Sequence, residues 1–143
     1  MNLAEMKKEL IRDEGMRLKP YRCPAGKLTI GIGRNLEDSG ISEAEADLLL
    51  TNDIARFSVL LDLELPWWKS LDEVRQRVLL NMAFNMGVTR LLGFTQTLGH
   101  VKAGRWKEAA TGMKASKWAK QVGSRAARLA QMMETGNPVA RVP

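Results

Sequence analysis

Disulfides, clustered metal ligands and long apolar runs are all missing from this sequence. Its 143 residues include one cysteine, Cys23, and one histidine, His100. A lone thiol cannot close an intramolecular disulfide, and one Cys with one His cannot furnish a structural zinc site. The chain therefore suits a reducing compartment, and neither a metal nor a cofactor is expected. No run of about 18 apolar residues occurs, which excludes a bilayer-crossing helix and stable membrane insertion. The opening Met1-Asn2-Leu3-Ala4-Glu5-Met6-Lys7-Lys8-Glu9 has no apolar signal core and no small-residue cleavage site. Repeats and low-complexity linkers are absent too. Acidic residues are outnumbered, giving a formal net charge of +6 and a pI of about 9.8. Such a protein is drawn to polyanions: nucleic acid, an anionic membrane or an anionic cell wall. With 45% hydrophobic and 27% charged residues the composition is globular, and the length fits one domain with a real core.

What is present falls into a clear order. Leu3, Met6, Leu10 and Ile11 recur at helical spacing, with Asn2 as cap, and predict an amphipathic helix over 3–14. Pro20, Pro24, Gly26, Gly31 and Gly33 then break any helix, and Leu28-Thr29-Ile30-Gly31-Ile32 alternates as a strand does. A small antiparallel sheet over 18–35 follows, then a loop from Asn35 to Gly40. Ser42 and Glu45 form a capping box for a helix reaching about residue 62. Ser70 and Glu73 form a second box, opening a helix that runs to Gly87. Short helices are expected over 89–92, 95–103, 105–113, 116–122 and 125–134, punctuated by Gly93, Gly104, Gly123 and Gly136. Pro138 to Pro143 reads as a frayed tail.

Segregated strands and helices make the fold class α+β, mainly helical. The expected architecture is a sheet lobe (about 15–60) joined by the helix from Ser42 to a helical bundle lobe (about 1–14 and 61–143), the chain acting as a monomer. An extended substrate would lie in a cleft between the lobes.

Asp13 and Glu14 close the first helix at the negative end of its dipole, which costs stability and hints at another use. Taken singly, every candidate has a plainer reading. Glu14 would be a solvated surface group, Cys23 a small core hydrophobe and Thr29 an ordinary strand residue. The glycines would be turn formers; they do not make a phosphate loop, because no Lys-Ser or Lys-Thr pair follows them. Trp67 and Trp68 suit core or rim packing, with sugar stacking as the alternative. Trp106 and Trp118 suit the core, His100 carries no assigned role, and Arg125 with Arg128 forms a basic helix face.

Their combination is more specific. Asp13-Glu14-Gly15-Met16-Arg17-Leu18-Lys19, then Tyr21, then Thr29-Ile30-Gly31-Ile32-Gly33, resembles the signature of the phage-type lysozymes. The family's catalytic set is a Glu, eight intervening residues, an Asp or Cys, five more and a Thr; Glu14, Cys23 and Thr29 meet it without a gap. Asn81-Met82-Ala83-Phe84-Asn85-Met86-Gly87, Gly93-Phe94-Thr95, the segment from Gly104 to Ala110, Lys117-Trp118 and the segment from Ser124 to Arg128 extend the resemblance over roughly residues 1–135; residues 51–75 look shortened.

The resemblance implies an enzyme that hydrolyses the bond between N-acetylmuramic acid and N-acetylglucosamine in peptidoglycan, for host cell lysis. Glu14 would be the general acid, which needs partial desolvation to hold its proton. Cys23 and Thr29 would hold the attacking water, and the substrate-binding residues would be Leu28, Phe84, Asn85 and Arg125, with Arg125 near Glu14. Better-known members carry Asp where Cys23 stands. A nearby Glu14 charge would keep that thiol neutral, so that it orients water rather than acting as a strong base. Arg34 stands where some relatives have a histidine that supports the fold.

The same resemblance implies synthesis in the host cytoplasm and action in the periplasm or cell wall once a holin opens the membrane. Two other readings are a lytic transglycosylase that uses Glu14 alone and a non-enzymatic, basic nucleic-acid-binding protein. Against the last, no helix concentrates Lys and Arg as a recognition helix would.

Overall fold

A computed structural model describes residues 1–139; the last part of the expected frayed tail, residues 140–143, lies outside them. Of the described residues 68% are helical, with one three-stranded antiparallel sheet among them, as the α+β reading expected. Its residues group into two compact units, Met1–Leu50 and a second beginning at Thr51.

The first unit opens with α1 (Leu3–Glu14). The Asn2 side chain accepts from the Glu5 N–H at 3.1 Å, and Gly15, at φ +77°, ends the helix by donating its N–H to the Ile11 carbonyl at 2.8 Å. The chain then enters β1 (Arg17–Arg22), β2 (Leu28–Gly31) and β3 (Arg34–Asn35), which pair in sequence order.

Arg17 faces Gly31, Tyr21 faces Thr29 and Arg22 faces Leu28, so β1 advances four residues where β2 advances two. Pro20 lies in that irregular stretch, where its missing N–H costs no ladder bond. The β1–β2 connection is Pro24-Ala25-Gly26. Gly26, at φ +81°, donates to the Cys23 carbonyl (2.8 Å), and the Cys23 N–H donates to the Lys27 carbonyl (3.0 Å). This is a tight turn followed by a left-handed glycine, a common three-residue hairpin solution.

The stretch expected to be a loop contains one turn of helix, α2 (Leu36–Ser39). Asn35 caps it by accepting from the Asp38 N–H at 3.0 Å, and Glu37 and Asp38 suit the positive end of a helix. The Glu37 carboxylate also receives Arg22 Nη1 (2.7 Å) and the Leu28 N–H (3.0 Å), tying α2 to the hairpin. Arg34 donates to the Gly40 carbonyl (3.1 Å) and pairs with Glu45 (2.8 Å). In this unit Thr29 alone is buried.

The Ser42–Glu45 capping box forms in both directions, at 2.9 and 3.1 Å, and opens α3 (Glu43–Glu64), which runs on into the second unit. The expected box at Ser70 and Glu73 does not form. Ser70 lies in a short 3-10 turn (Trp68–Ser70) and donates its hydroxyl to the Trp67 carbonyl at 2.6 Å. Asp72, directly before α4 (Glu73–Met86), takes the capping role, accepting from the Arg75 N–H at 3.1 Å. Then come α5 (Val88–Leu92), α6 (Thr95–Lys102), α7 (Trp106–Lys114), α8 (Lys117–Val122) and α9 (Ser124–Thr135), within two residues of the spans expected from their glycine punctuation.

These helices bury Leu61, Val78, Leu79, Met82, Leu91, Val101, Met113, Trp118 and Met133 almost completely. Arg75 is buried with them: it donates to the carbonyls of Met133 (2.7 Å) and Glu134 (2.9 Å), pairs with Asp72 (3.0 Å) and stacks 3.9 Å over the Trp106 ring. Planar guanidinium geometry lets one side chain hold the exposed carbonyl end of α9 and an aromatic face together.

Candidate active site

Glu14 is the last residue of α1, and its carboxylate reaches the β2–β3 turn, where it lies against Gly33. The residue is solvent-exposed.

Cys23 and Thr29 do come together, across the mouth of the β1–β2 hairpin. Thr29 is 3% exposed and donates its hydroxyl to the Lys27 carbonyl at 2.9 Å, which leaves the oxygen's lone pairs to accept from another donor. Cys23 is a free, half-buried thiol. Its pKa is lowered from the ordinary thiol range, first by the backbone N–H of Lys27, against partial desolvation, and then by the Ala25 backbone and the Thr29 hydroxyl. The groups acting on Cys23 belong to its own hairpin.

Thr29 precedes Gly31 by two residues on β2, so the two share a sheet face, separated by a rise of about 6.6 Å. Leu28 is half-buried beside Thr29, pairs with Arg22 and donates its N–H to Glu37.

The other expected binding residues belong to the second unit. Phe84 is 39% exposed, its ring 5.5 Å from that of Phe57. Asn85 is exposed, and its side-chain oxygen accepts from Trp118 Nε1 at 2.8 Å. Arg125 is half-buried and directs Nε and Nη2 at Asn81 Oδ1, at 3.0 and 2.8 Å. The role of Asn81 was not drawn from the sequence, although its spacing of four from Asn85 puts both amides on one helix face. The pairing of Arg34 with Glu45 was missed as well. That pair drives the Glu45 carboxyl down to about 2, chiefly through the Arg34 hydrogen bond, and ties β3 to the start of α3 where a supporting histidine had been looked for.

Among the described residues, no helix is long and apolar enough to cross a membrane, and no three His, Cys, Asp or Glu side chains gather as a metal site.

Together these features define a mainly helical α+β protein with a carboxyl group at a helix end and a thiol–hydroxyl pair on the following hairpin. The model of the phage lysozyme family matches residues 12–133. Similar proteins include "Probable T4-type lysozyme 1" of Dictyostelium discoideum, 30% identical over 163 aligned positions covering 94% of this chain and 96% of that one. Another is the "Pre-baseplate central spike protein Gp5" of Enterobacteria phage T4, 31% identical with 96% of this chain covered; the chain spans only 28% of the length of that protein. A third is an "Endolysin" of Acyrthosiphon pisum secondary endosymbiont phage 1, 34% identical over 62% of each chain. The chain belongs to the phage lysozyme family.

Proposed function

We propose that the chain is a muramidase, cleaving the β-1,4 bond between N-acetylmuramic acid and N-acetylglucosamine with inversion at the anomeric carbon. Family membership supports the coarser reading, a glycosidase-type peptidoglycan hydrolase. The finer reading is carried by one observation: the thiol of Cys23 and the hydroxyl of Thr29 share a hairpin mouth, on the strand whose far end leads to the turn that meets Glu14.

In this reading Glu14 gives its proton to the leaving glycosidic oxygen as the bond to the anomeric carbon breaks. A water held by Cys23 and Thr29 attacks that carbon from the opposite face and releases its surplus proton to solvent, leaving Glu14 as the carboxylate. The Thr29 oxygen accepts one water proton, since its own proton is committed to Lys27. Inverting glycosidases separate the two groups widely enough to admit a water, about 6.5–9.5 Å.

Leu28, Phe84, Asn85 and Arg125 are the proposed substrate contacts, with a monomer as the working unit. Access to the wall from the host cytoplasm would depend on a holin.

The test is digestion of purified peptidoglycan by the wild type and by Glu14→Gln, with product masses read out. Hydrolysed, reducing muropeptides from the wild type and none from the variant are expected, because an amide keeps the shape but has no proton to give. Products carrying 1,6-anhydro ends would assign the chain to transglycosylation instead. Near-normal turnover by Glu14→Gln would overturn the acid assignment.

A further inference from the structure

Gly31 and Gly33 have nearly the same φ, +70° and +71°, yet they face different surroundings. A β-carbon added at Gly31 would meet nothing within 4 Å. One added at Gly33 would lie 3.1 Å from Oε2, 3.2 Å from Cδ and 3.4 Å from Cγ of Glu14. A positive φ favours glycine at both positions, but only Gly33 also abuts the Glu14 side chain.

The placement of Gly33 is held from the other side. Arg34, the next residue, donates to the Gly40 carbonyl at 3.1 Å and to Glu45 at 2.8 Å, which ties β3 to the first turn of α3. Glu45 is bound in turn to Ser42 through the capping box. The wall against which the Glu14 carboxylate rests is thus backbone, anchored one residue away by a charged side chain.

We infer that Gly33 is a positioning residue for catalysis: its bare Cα face, fixed by the Arg34–Glu45 pair, sets where the Glu14 carboxyl group sits. This rests on the assignment of Glu14 as proton donor. Proton transfer demands heavy-atom placement within hydrogen-bond reach, and a small misplacement costs large factors in rate.

The experiment compares Gly33→Ala with Gly31→Ala. Both place an L-residue at positive φ, so both should lose thermal stability. Only Gly33→Ala should move the Glu14 carboxyl 13C resonance, and only it should lose kcat beyond the Gly31→Ala level, by about ten-fold or more, with KM little changed. Gly33→Asn brings the same β-carbon with less backbone strain, because Asn tolerates positive φ better, and should repeat the effect if Gly33→Ala folds poorly.

The resonance readout does not depend on the chemistry assigned to Glu14. If Glu14→Gln is inactive yet both alanine variants leave the Glu14 resonance and kcat alike, the positioning role is overturned while the acid assignment stands. If Glu14→Gln remains active, the acid assignment fails; a Glu14 resonance that still moves only in Gly33→Ala would then retain the packing relation and remove its catalytic meaning.

Discussion

Arg125 commits two donors, Nε and Nη2, to a single acceptor, the side-chain oxygen of Asn81, 44 residues earlier in the chain. The pair joins α9 to α4 and fixes the plane of a half-buried guanidinium. Asn81→Ala removes the acceptor and leaves that cation under-paired. The expected loss is about 1–3 kcal/mol of unfolding free energy, measured in urea. If Arg125 contacts substrate as proposed, the same variant should also raise KM for peptidoglycan with little change in kcat. An unchanged urea midpoint would show that the two donors are equally well served by water.

Cys23 should react with iodoacetamide in the folded protein, because it is half-buried rather than enclosed. Its alkylation rate should rise with pH through a midpoint below the ordinary thiol range, since the Lys27 N–H favours the thiolate. Alkylation should abolish peptidoglycan hydrolysis by filling the proposed water site, and bound glycan should slow it. Cys23→Asp should keep substantial turnover, as carboxylate oxygens can orient the same water. Full alkylation with activity retained would remove Cys23 from the site.

The Arg34–Glu45 pair predicts a pH dependence of stability. The Glu45 carboxyl is pushed down to about 2 in the folded chain, below its unfolded value of about 4.3. A depressed folded pKa contributes stability that is present above the unfolded value and is lost as pH falls through the folded one. Wild type should therefore lose thermal stability between about pH 5 and pH 2 more steeply than Glu45→Gln. Parallel melting curves for the two over that window would show the pair to be energetically idle.

Between Val88 and Thr135 the cations Arg90, Lys102, Arg105, Lys107, Lys114, Lys117, Lys120, Arg125 and Arg128 face only two acids, Glu108 and Glu134. None of these cations forms a salt bridge among the described residues. Binding to isolated anionic cell walls should weaken as salt is raised, because screening confines such charges to about 8 Å at physiological ionic strength. Turnover of a short, uncharged oligosaccharide should change less. Equal salt loss on both substrates would argue against charge-driven capture.

The features legible in the sequence were those with local causes. The Asn2 cap, the Ser42–Glu45 box and the glycine stops are decided within a few residues, and the structure contains them where they were expected. The misreadings were also local but turned on competition. Asn35 was taken for a loop residue because Asn serves both roles, and Ser70 lost the capping role to an acid two residues nearer the helix. At the candidate site, Glu14, Cys23 and Thr29 could be picked out only by their resemblance to the family's pattern. The ionisation tendency of Cys23 could not, because it depends on which backbone N–H the hairpin turns toward the sulfur. Nor could the pairing of Arg125 with Asn81, which needs two helices far apart in sequence to be neighbours in space.

Thr29 is the one residue of Met1–Leu50 withdrawn from water, whereas the apolar core lies after Thr51. The chain thus divides its labour: the segment bearing the proposed acid and water-holding pair stores little packing energy, and the segment that stores it bears none of the proposed reacting groups. A saturation library scored separately for cellular abundance and for lysis would come apart along that line. Changes in the early segment would mostly silence lysis at normal abundance, and changes at Leu79, Met113 or Trp118 would drain both.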